Sequence, residues 1–231
     1  FKRENGKQIP GINLHPLVVL PQKRELGNFL VLGMQGSGKS VVLKNLFSQV
    51  VERGDKALIY DQKREYTPLF FTDNTVMVSP TDARGTPWNI SADACNDEMA
   101  LLIAASFIRP SKEPIWGNGA RLILAGCIST MNKTIPQWGW QELATMLTLP
   151  AEPLKEALIQ HFPRAASLIS GGESKTTDSF ISTILSEVGW IFSLAEAWPT
   201  AYEDGFSIQD WLQNDSQPTI IIPFDQKYST T

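Results

Sequence analysis

The sequence has little cysteine and little histidine, two of each in 231 residues. Cys95 and Cys127 are too few for a disulfide framework, and with only His15 and His161 beside them they match no zinc spacing. Both are expected as small buried hydrophobes in a reducing compartment. Long apolar runs are also missing. The best, Ala100–Ile108, falls well short of the roughly 20 residues a spanning helix needs. Disorder is excluded, because 42% of the residues are hydrophobic and the net charge is only −4. The opening residues carry no leader or transit pattern. Residue 1 is Phe, so a processed product or a piece of a longer chain is expected, and the end at Gln226–Thr231 reads as a cut.

Charge of one sign is scarce where it would matter for nucleic acid. Residues 1–90 hold 12 Lys/Arg against 8 Asp/Glu, whereas residues 91–210 hold 7 against 14. The shift suggests two modules, 1–90 and 91–210, with 211–231 returning to the first. The acidic module is a poor grip for a phosphate backbone, which is bound by neutralising Lys and Arg. Lys2, Arg3, Lys7, Lys23 and Arg24 read first as solvated charge and second as part of a basic surface.

What is present is a strand–helix–strand pattern. Asn28–Leu32 is a continuous apolar run and reads as a buried strand. A helix is expected from Lys39 to about Arg53, with apolar pairs every four residues and Gly54 just past its end. Lys56–Tyr60 reads as the second strand, Thr75–Val78 as a third, and Leu17–Leu20 as a short one. One such βαβ unit implies a parallel sheet. From Ser91 the period is helical, with helices expected at 92–108, 118–132, 140–148, 152–162, 175–195 and 207–213. Ile220–Phe224 returns to a buried-strand pattern. Six of the seven tryptophans lie beyond residue 100, and they read as core ahead of base stacking, because stacking platforms come with basic neighbours.

Gly33-Met-Gln-Gly-Ser-Gly-Lys-Ser40 matches the phosphate-binding loop G-x-x-x-x-G-K-[ST]. Gly33, Gly36 and Gly38 supply backbone freedom for close approach to an anion. The following helix points its free N–H groups and positive end at that anion. Gln35, Ser37 and Val41 complete the backbone cradle. Lys39 reaches the β- and γ-phosphates as the catalytic residue, and the Ser40 hydroxyl is the Mg²⁺ ligand. The expected cofactors are therefore ATP and Mg²⁺. The plainer reading is a glycine-rich turn with an incidental lysine, and it leaves the flanking strand and helix unexplained. An acid to orient Mg²⁺ has two loose candidates, Asp61 after Ala57–Tyr60 and Asp225 after Ile220–Phe224. Their plainer readings are a turn cap and a surface acid. No apolar strand in the sequence ends in Asp-Glu, the pair typical of P-loop motors.

Around that loop, Gly33–Lys44 and Arg53–Asp61 resemble the coupling-protein ATPases of conjugative type IV secretion, the TraD/TrwB family. Ser79–Trp88, Glu113–Arg121 and Phe206–Leu212 are similar to that family's segments leading into, within and out of its all-α domain. The resemblance implies an α/β fold: a RecA-like P-loop NTPase parallel sheet, partial here, with a large all-α insert. It further implies a homo-hexameric ring on the cytoplasmic face of the bacterial inner membrane. That ring uses ATP to drive single-stranded transfer DNA with its bound relaxase into a type IV secretion channel. Asp61-Gln-Lys-Arg-Glu65 departs from the family, whose members carry a small or glycine-containing turn there, and a local turn or salt bridge is the default role for Asp61 and Glu65. Other readings are a hexameric DNA translocase of the wider FtsK/HerA group, a small kinase using Asp61, or a nucleotide-binding module without turnover. For the kinase, the insert offers only Arg109, Arg121 and Arg164 to converge on phosphates.

Overall fold

The computed structural model describes residues 3–4, 7–8, 11–110, 113–172, 174–199, 204–214 and 219–224. They fall into two units, one built from the residues up to Met77 with Asn214–Phe224, the other from Val78–Gln213. The sequence placed these divisions at 90/91 and 210/211. Surface charge misplaces them, because the boundary follows the core that the apolar side chains enter, and Val78 and Trp88 already pack on the helical core.

The first unit starts with antiparallel pairs, β1 (Arg3–Glu4) with β2 (Lys7–Gln8) and β3 (Gly11–His15) with β4 (Val18–Pro21). The run at 17–20 is thus one arm of a hairpin whose other arm is too polar to read from the sequence. Residues 28–34 lie outside any strand, which corrects the buried strand expected at 28–32. Phe29, Leu30 and Leu32 are 51%, 81% and 79% exposed. The run has strand composition, but among the described residues no strand lies alongside it, and a strand is held by its ladder.

Helix α1 (Lys39–Glu52) follows the loop and stops where Gly54 turns left-handed at φ 81°. Next come β5 (Ala57–Asp61), α2 (Thr67–Phe70), β6 (Thr75–Met77) and, after the helical unit, β7 (Thr219–Pro223). β7 runs parallel between β5 and β6, its Ile220 opposite Leu58 on one side and Val76 on the other. A central parallel strand is buried on both faces, which explains the unbroken apolar run at 220–222. Ile59, Phe70 and Ile221 form a small core on which Phe47 and Val51 of α1 pack. The guanidinium of Arg53 pairs with Glu25 at 2.6 Å and ties the end of α1 to the 22–26 turn.

The second unit is helical: α3 (Ile90–Asp93), α4 (Asp97–Phe107), α5 (Pro114–Thr134), α6 (Trp140–Leu147), α7 (Ala151–Ile159), α8 (Pro163–Ala166), α9 (Lys175–Val188), α10 (Trp190–Ala197) and α11 (Ile208–Gln213). Two expected helices are each split. The one at 92–108 breaks at Asn96, whose side chain accepts the Met99 N–H and caps α4. The one at 175–195 breaks at Gly189 with a bend of 56°. That bend brings Trp190 edge-on to Phe107, 4.8 Å between ring centres. Trp138, Trp140 and Trp198 are buried, and Trp88, Trp116 and Trp190 pack on the same core, as the plainer reading of the tryptophans held. Each buried aromatic or aliphatic side chain here contributes about 1.5–3 kcal/mol. Among the described residues no single helix is long and apolar enough to cross a membrane.

Candidate functional site

The loop between Leu32 and α1 has the geometry its glycines require. Gly36 and Gly38 sit at φ 77° and 84°, in the left-handed region that side chains disfavour. A Cβ at either position would meet open space. These glycines therefore serve backbone conformation and an unobstructed face above the loop, not packing. Gly33 is different, since a Cβ there would collide with the Ser37 hydroxyl. Ser37 N–H closes the turn on the Met34 carbonyl at 3.2 Å.

Gly38 is the N-cap of α1 and offers no side-chain cap, and no acid stands in the first turn. The first hydrogen bond into the helix runs from Val42 N–H to Gly38 O, 3.1 Å. The N–H groups of Lys39, Ser40 and Val41 precede it at the positive end of the helix dipole, an arrangement that can hold an anion. The Lys39 ammonium donates to Gly33 O at 2.7 Å and Met34 O at 2.5 Å. It lies folded on the loop, held by carbonyl oxygens that phosphate oxygens can replace. The Ser40 hydroxyl has no protein partner among the described residues. Gln35 is exposed, and Val41 is 70% exposed beside the loop. The structure thus gathers all eight predicted residues, Gly33, Gln35, Gly36, Ser37, Gly38, Lys39, Ser40 and Val41, in one loop and helix start.

This donor set fits a polyphosphate with Mg²⁺: backbone N–H groups and one ammonium for the anion, and one hydroxyl for a metal that keeps most of its ligands as phosphate and water. Among the described residues no group of three His, Cys, Asp or Glu is placed to hold a metal unaided.

Asp61 has another task. Its carboxylate is fully buried and accepts the N–H groups of Glu65, Tyr66 and Thr67 at 3.0, 2.9 and 2.7 Å, and the Thr67 hydroxyl at 2.7 Å. Burial raises its pKa, but the Thr67 hydroxyl and the three N–H donors outweigh that, and the net shift is downward. It organises the turn that Arg64 completes at φ 55°, the left-handed position a glycine turn would occupy more easily. Glu65 reaches Lys44 of α1 at 3.7 Å. The departure from the family pattern at 61–65 is therefore a differently built turn. With these oxygens committed, Asp61 is not a free Mg²⁺ acid. The arginines the kinase reading needed are engaged inside the helical unit: Arg109 on Glu187, Arg121 on the Ile108 carbonyl, and Arg164 over the Phe162 ring. Asp225 and Lys2 lie outside the described residues. Lys23 and Arg24 are exposed in a short 3₁₀ turn.

A family model described as the type IV secretion-system coupling protein DNA-binding domain matches residues 13–231. The chain belongs to that family. The coupling protein TraD of Escherichia coli (strain K12) is 27% identical over 194 residues, 82% of this chain and 26% of its own length. The plasmid coupling protein TrwB in complex with ADP and Mg²⁺ is 26% identical, with a TM-score of 0.74 over 97% of this chain and 52% of that one. TrwB in complex with the non-hydrolysable ATP analogue ADPNP is 25% identical, with a TM-score of 0.67 over 84% and 46%. The chain spans 26% of the curated relative and 52% of the ADP-bound TrwB chain. The fold is the coupling-protein one, a RecA-like α/β sheet with an all-α domain, as the residues around the loop implied.

Two features of this unit were not legible in the sequence. The hairpin β3–β4 packs on α1 through Asn13 and Gln49, whose side chains hydrogen-bond at 3.2 Å. Nothing in an Asn and a Gln 36 residues apart announces that contact. The carbonyls of Gly33 and Met34 that hold Lys39 belong to main chain, which every residue has.

Proposed function

We propose that the chain is the nucleotide-binding segment of a conjugative coupling protein, an ATPase that drives single-stranded transfer DNA and its bound relaxase into a type IV secretion channel. The observation that carries this reading is the phosphate cradle of Gly33–Val41 with Lys39 poised over it, in a chain of the coupling-protein family. Its relative TrwB is known in complex with ADP and Mg²⁺, and that is the ligand class proposed here. Backbone N–H groups of residues 36–41 hold the β-phosphate region. Lys39 exchanges the Gly33 and Met34 carbonyls for phosphate oxygens and stabilises the charge that develops as the γ-phosphoryl leaves. Ser40 turns its hydroxyl to the metal. Mg²⁺, when bound, neutralises the phosphate charge.

In this proposal the protein works as a homo-hexamer at the cytoplasmic face of the inner membrane, and a neighbouring subunit supplies the arginine that completes the site. The 231-residue chain by itself turns ATP over slowly, because Asp61 is locked in its turn and a trans arginine is worth roughly 10³–10⁵ in rate. The helical unit is the docking module for protein substrate. The test is plasmid transfer by the full-length protein: Lys39→Ala should abolish it at an unchanged protein level, and transfer at the normal frequency would refute the motor role.

A further inference from the structure

The turn after β5 carries backbone strain at an exposed residue. Among the described residues Arg64 is the one non-glycine in the left-handed region, at φ 55°. An L side chain is disfavoured there because its Cβ crowds the main chain, and a glycine would relieve the strain. Such outliers persist where their surroundings fix them, and they gather at functional positions. Here the fixing residue is Asp61. Its buried carboxylate accepts three main-chain N–H groups and the Thr67 hydroxyl, and its carbonyl accepts the Arg64 N–H at 3.4 Å.

Gln62, Lys63 and Arg64 form the exposed tip of this turn, with no acid among them. Asp61 before them is buried and committed to its four donors. Glu65 behind them reaches Lys44 of α1 at 3.7 Å, and the Lys44 ammonium lies 5.9 Å from the centre of the Tyr66 ring. Three cations, Lys44, Lys63 and Arg64, thus gather around one turn. It follows the C-terminal end of a parallel strand, the end outside which open α/β sheets bind their ligands.

The chemistry of the tip suits a phosphodiester backbone. A guanidinium binds phosphate through two parallel N–H bonds, and a fixed main chain preserves that geometry. An ammonium beside it engages a second phosphate as a point charge. Base stacking has no free platform here: the Tyr66 ring is stacked on Phe70, 6.4 Å between centres, and edge-on to Phe47 at 5.6 Å. Contacts to the backbone position a strand without reading its sequence. The nucleotide has its own donors in the Gly33–Ser40 loop, and Lys44 stands about 7.5 Å further along α1 than Lys39 by helix rise.

We propose that Lys63 and Arg64, at the turn between β5 and α2, grip the sugar-phosphate backbone of single-stranded DNA without regard to its bases. The proposal rests on the reading of the chain as part of a DNA-transferring motor. The left-handed main chain is the rigid support from which the guanidinium is presented.

The test is fluorescence anisotropy of the 231-residue chain with labelled oligo(dT) at about 0.05–0.2 M salt, beside ADP titration and a thermal melt. Wild type should bind with an affinity that falls as salt rises. Lys63→Ala and Arg64→Gly should each weaken binding about fivefold at about 0.1 M salt. Each should also lower the log–log salt slope by about 0.7, the value of one single-strand phosphate contact. Arg64→Gly should melt no lower than wild type, because glycine takes this φ without strain. A merely structural Arg64 would not join a loss of DNA binding to an undiminished melt. ADP affinity should stay within about twofold in both variants, and oligo(dC) should bind within about threefold of oligo(dT). Unchanged DNA affinity and slope in both variants overturns the proposal. So does a loss of ADP affinity equal to that for DNA, a marked preference for one base, or a wild-type chain that binds ADP and no DNA. Failure of the motor reading looks different: Lys39→Ala then transfers the plasmid at the normal frequency, whatever the turn variants do to DNA binding.

Discussion

The indole N–H of Trp88 donates to the Asp93 carboxylate at 2.6 Å. The same carboxylate accepts the Ser207 hydroxyl at 2.9 Å and the N–H groups of Ile208 and Gln209 at 3.0 and 2.9 Å. Trp88 lies where the chain enters the helical unit and Ser207 where it leaves. Backbone bonds reinforce the junction, Asn89 N–H to Phe206 O at 2.8 Å and Phe206 N–H to Pro87 O at 2.7 Å. Asp93 thus caps α11 from another element and clamps the two crossing segments together.

Replacing that clamp should be costly. Asp93→Ala leaves the Trp88 N–H and two backbone donors without their partner, a loss of about 2–4 kcal/mol. Urea denaturation should show a lower midpoint at unchanged slope. A midpoint equal to wild type would mean that water satisfies these donors and that the clamp carries no stability.

Asp61 makes a pH-dependent contribution of known sign. Its folded pKa lies below the ordinary 3.8. The stability it adds is therefore complete above the unfolded value and is lost as the pH falls through the lower folded value. Thermal melts between pH 7 and pH 3 should show a drop below about pH 4 that Asp61→Asn lacks. The Asn variant should also be less stable at pH 7 by about 2–4 kcal/mol, since an amide nitrogen faces donors where an oxygen accepted. Parallel melting curves for the two proteins over this range would contradict the assignment.

The two cysteines part company. Cys127 is buried on α5, and burial pushes its thiol up to about 12, whereas Cys95 is exposed. The sequence expected both inside. Cys95 comes out because the helix breaks there and Asn96 takes over as a cap. A thiol reagent at pH 8 should label Cys95 rapidly and Cys127 only after unfolding. Two fast-reacting thiols in the folded protein would show that the α5 core opens.

The helical unit should leave nucleic acid alone. Residues 91–210 carry 7 basic against 14 acidic side chains, and phosphate contacts need the opposite balance. Produced separately, Val78–Gln213 is expected to bind no single-stranded DNA at about 0.15 M salt. Micromolar, salt-sensitive binding by that unit would move the DNA grip into it.

How much of this was legible follows from what kind of signal each feature leaves. The turn at Gly36 and Gly38 and the start of α1 read cleanly, because left-handed glycines and a helix that follows them leave a local signal at fixed spacing. The apolar run at 220–222 read as a strand because a central parallel strand is apolar on both faces. The run at 28–32 has the same composition and forms no strand among the described residues, since hydrophobicity states what a segment needs on its faces and not what lies beside it. The role of Asp93 as a clamp left no local trace, because three of its four partners stand 114 to 116 residues away. Asp61 was visible as a strand-end acid, and only the structure separates a turn organiser from a metal ligand by showing where its oxygens point.

The central claim is that Gly33–Ser40 binds a nucleotide through Lys39. The most direct measurement is titration of ADP with Mg²⁺ into the wild-type chain and Lys39→Ala, with a thermal melt of each. Among the described residues Lys39 is bonded only to two loop carbonyls, so its removal should leave the melt nearly unchanged, within about 0.5 kcal/mol. The account predicts saturable binding by wild type and a loss of at least about tenfold in the variant, the scale of one charge-assisted contact. Equal affinity in the two proteins, or no binding by a folded wild type, would contradict it.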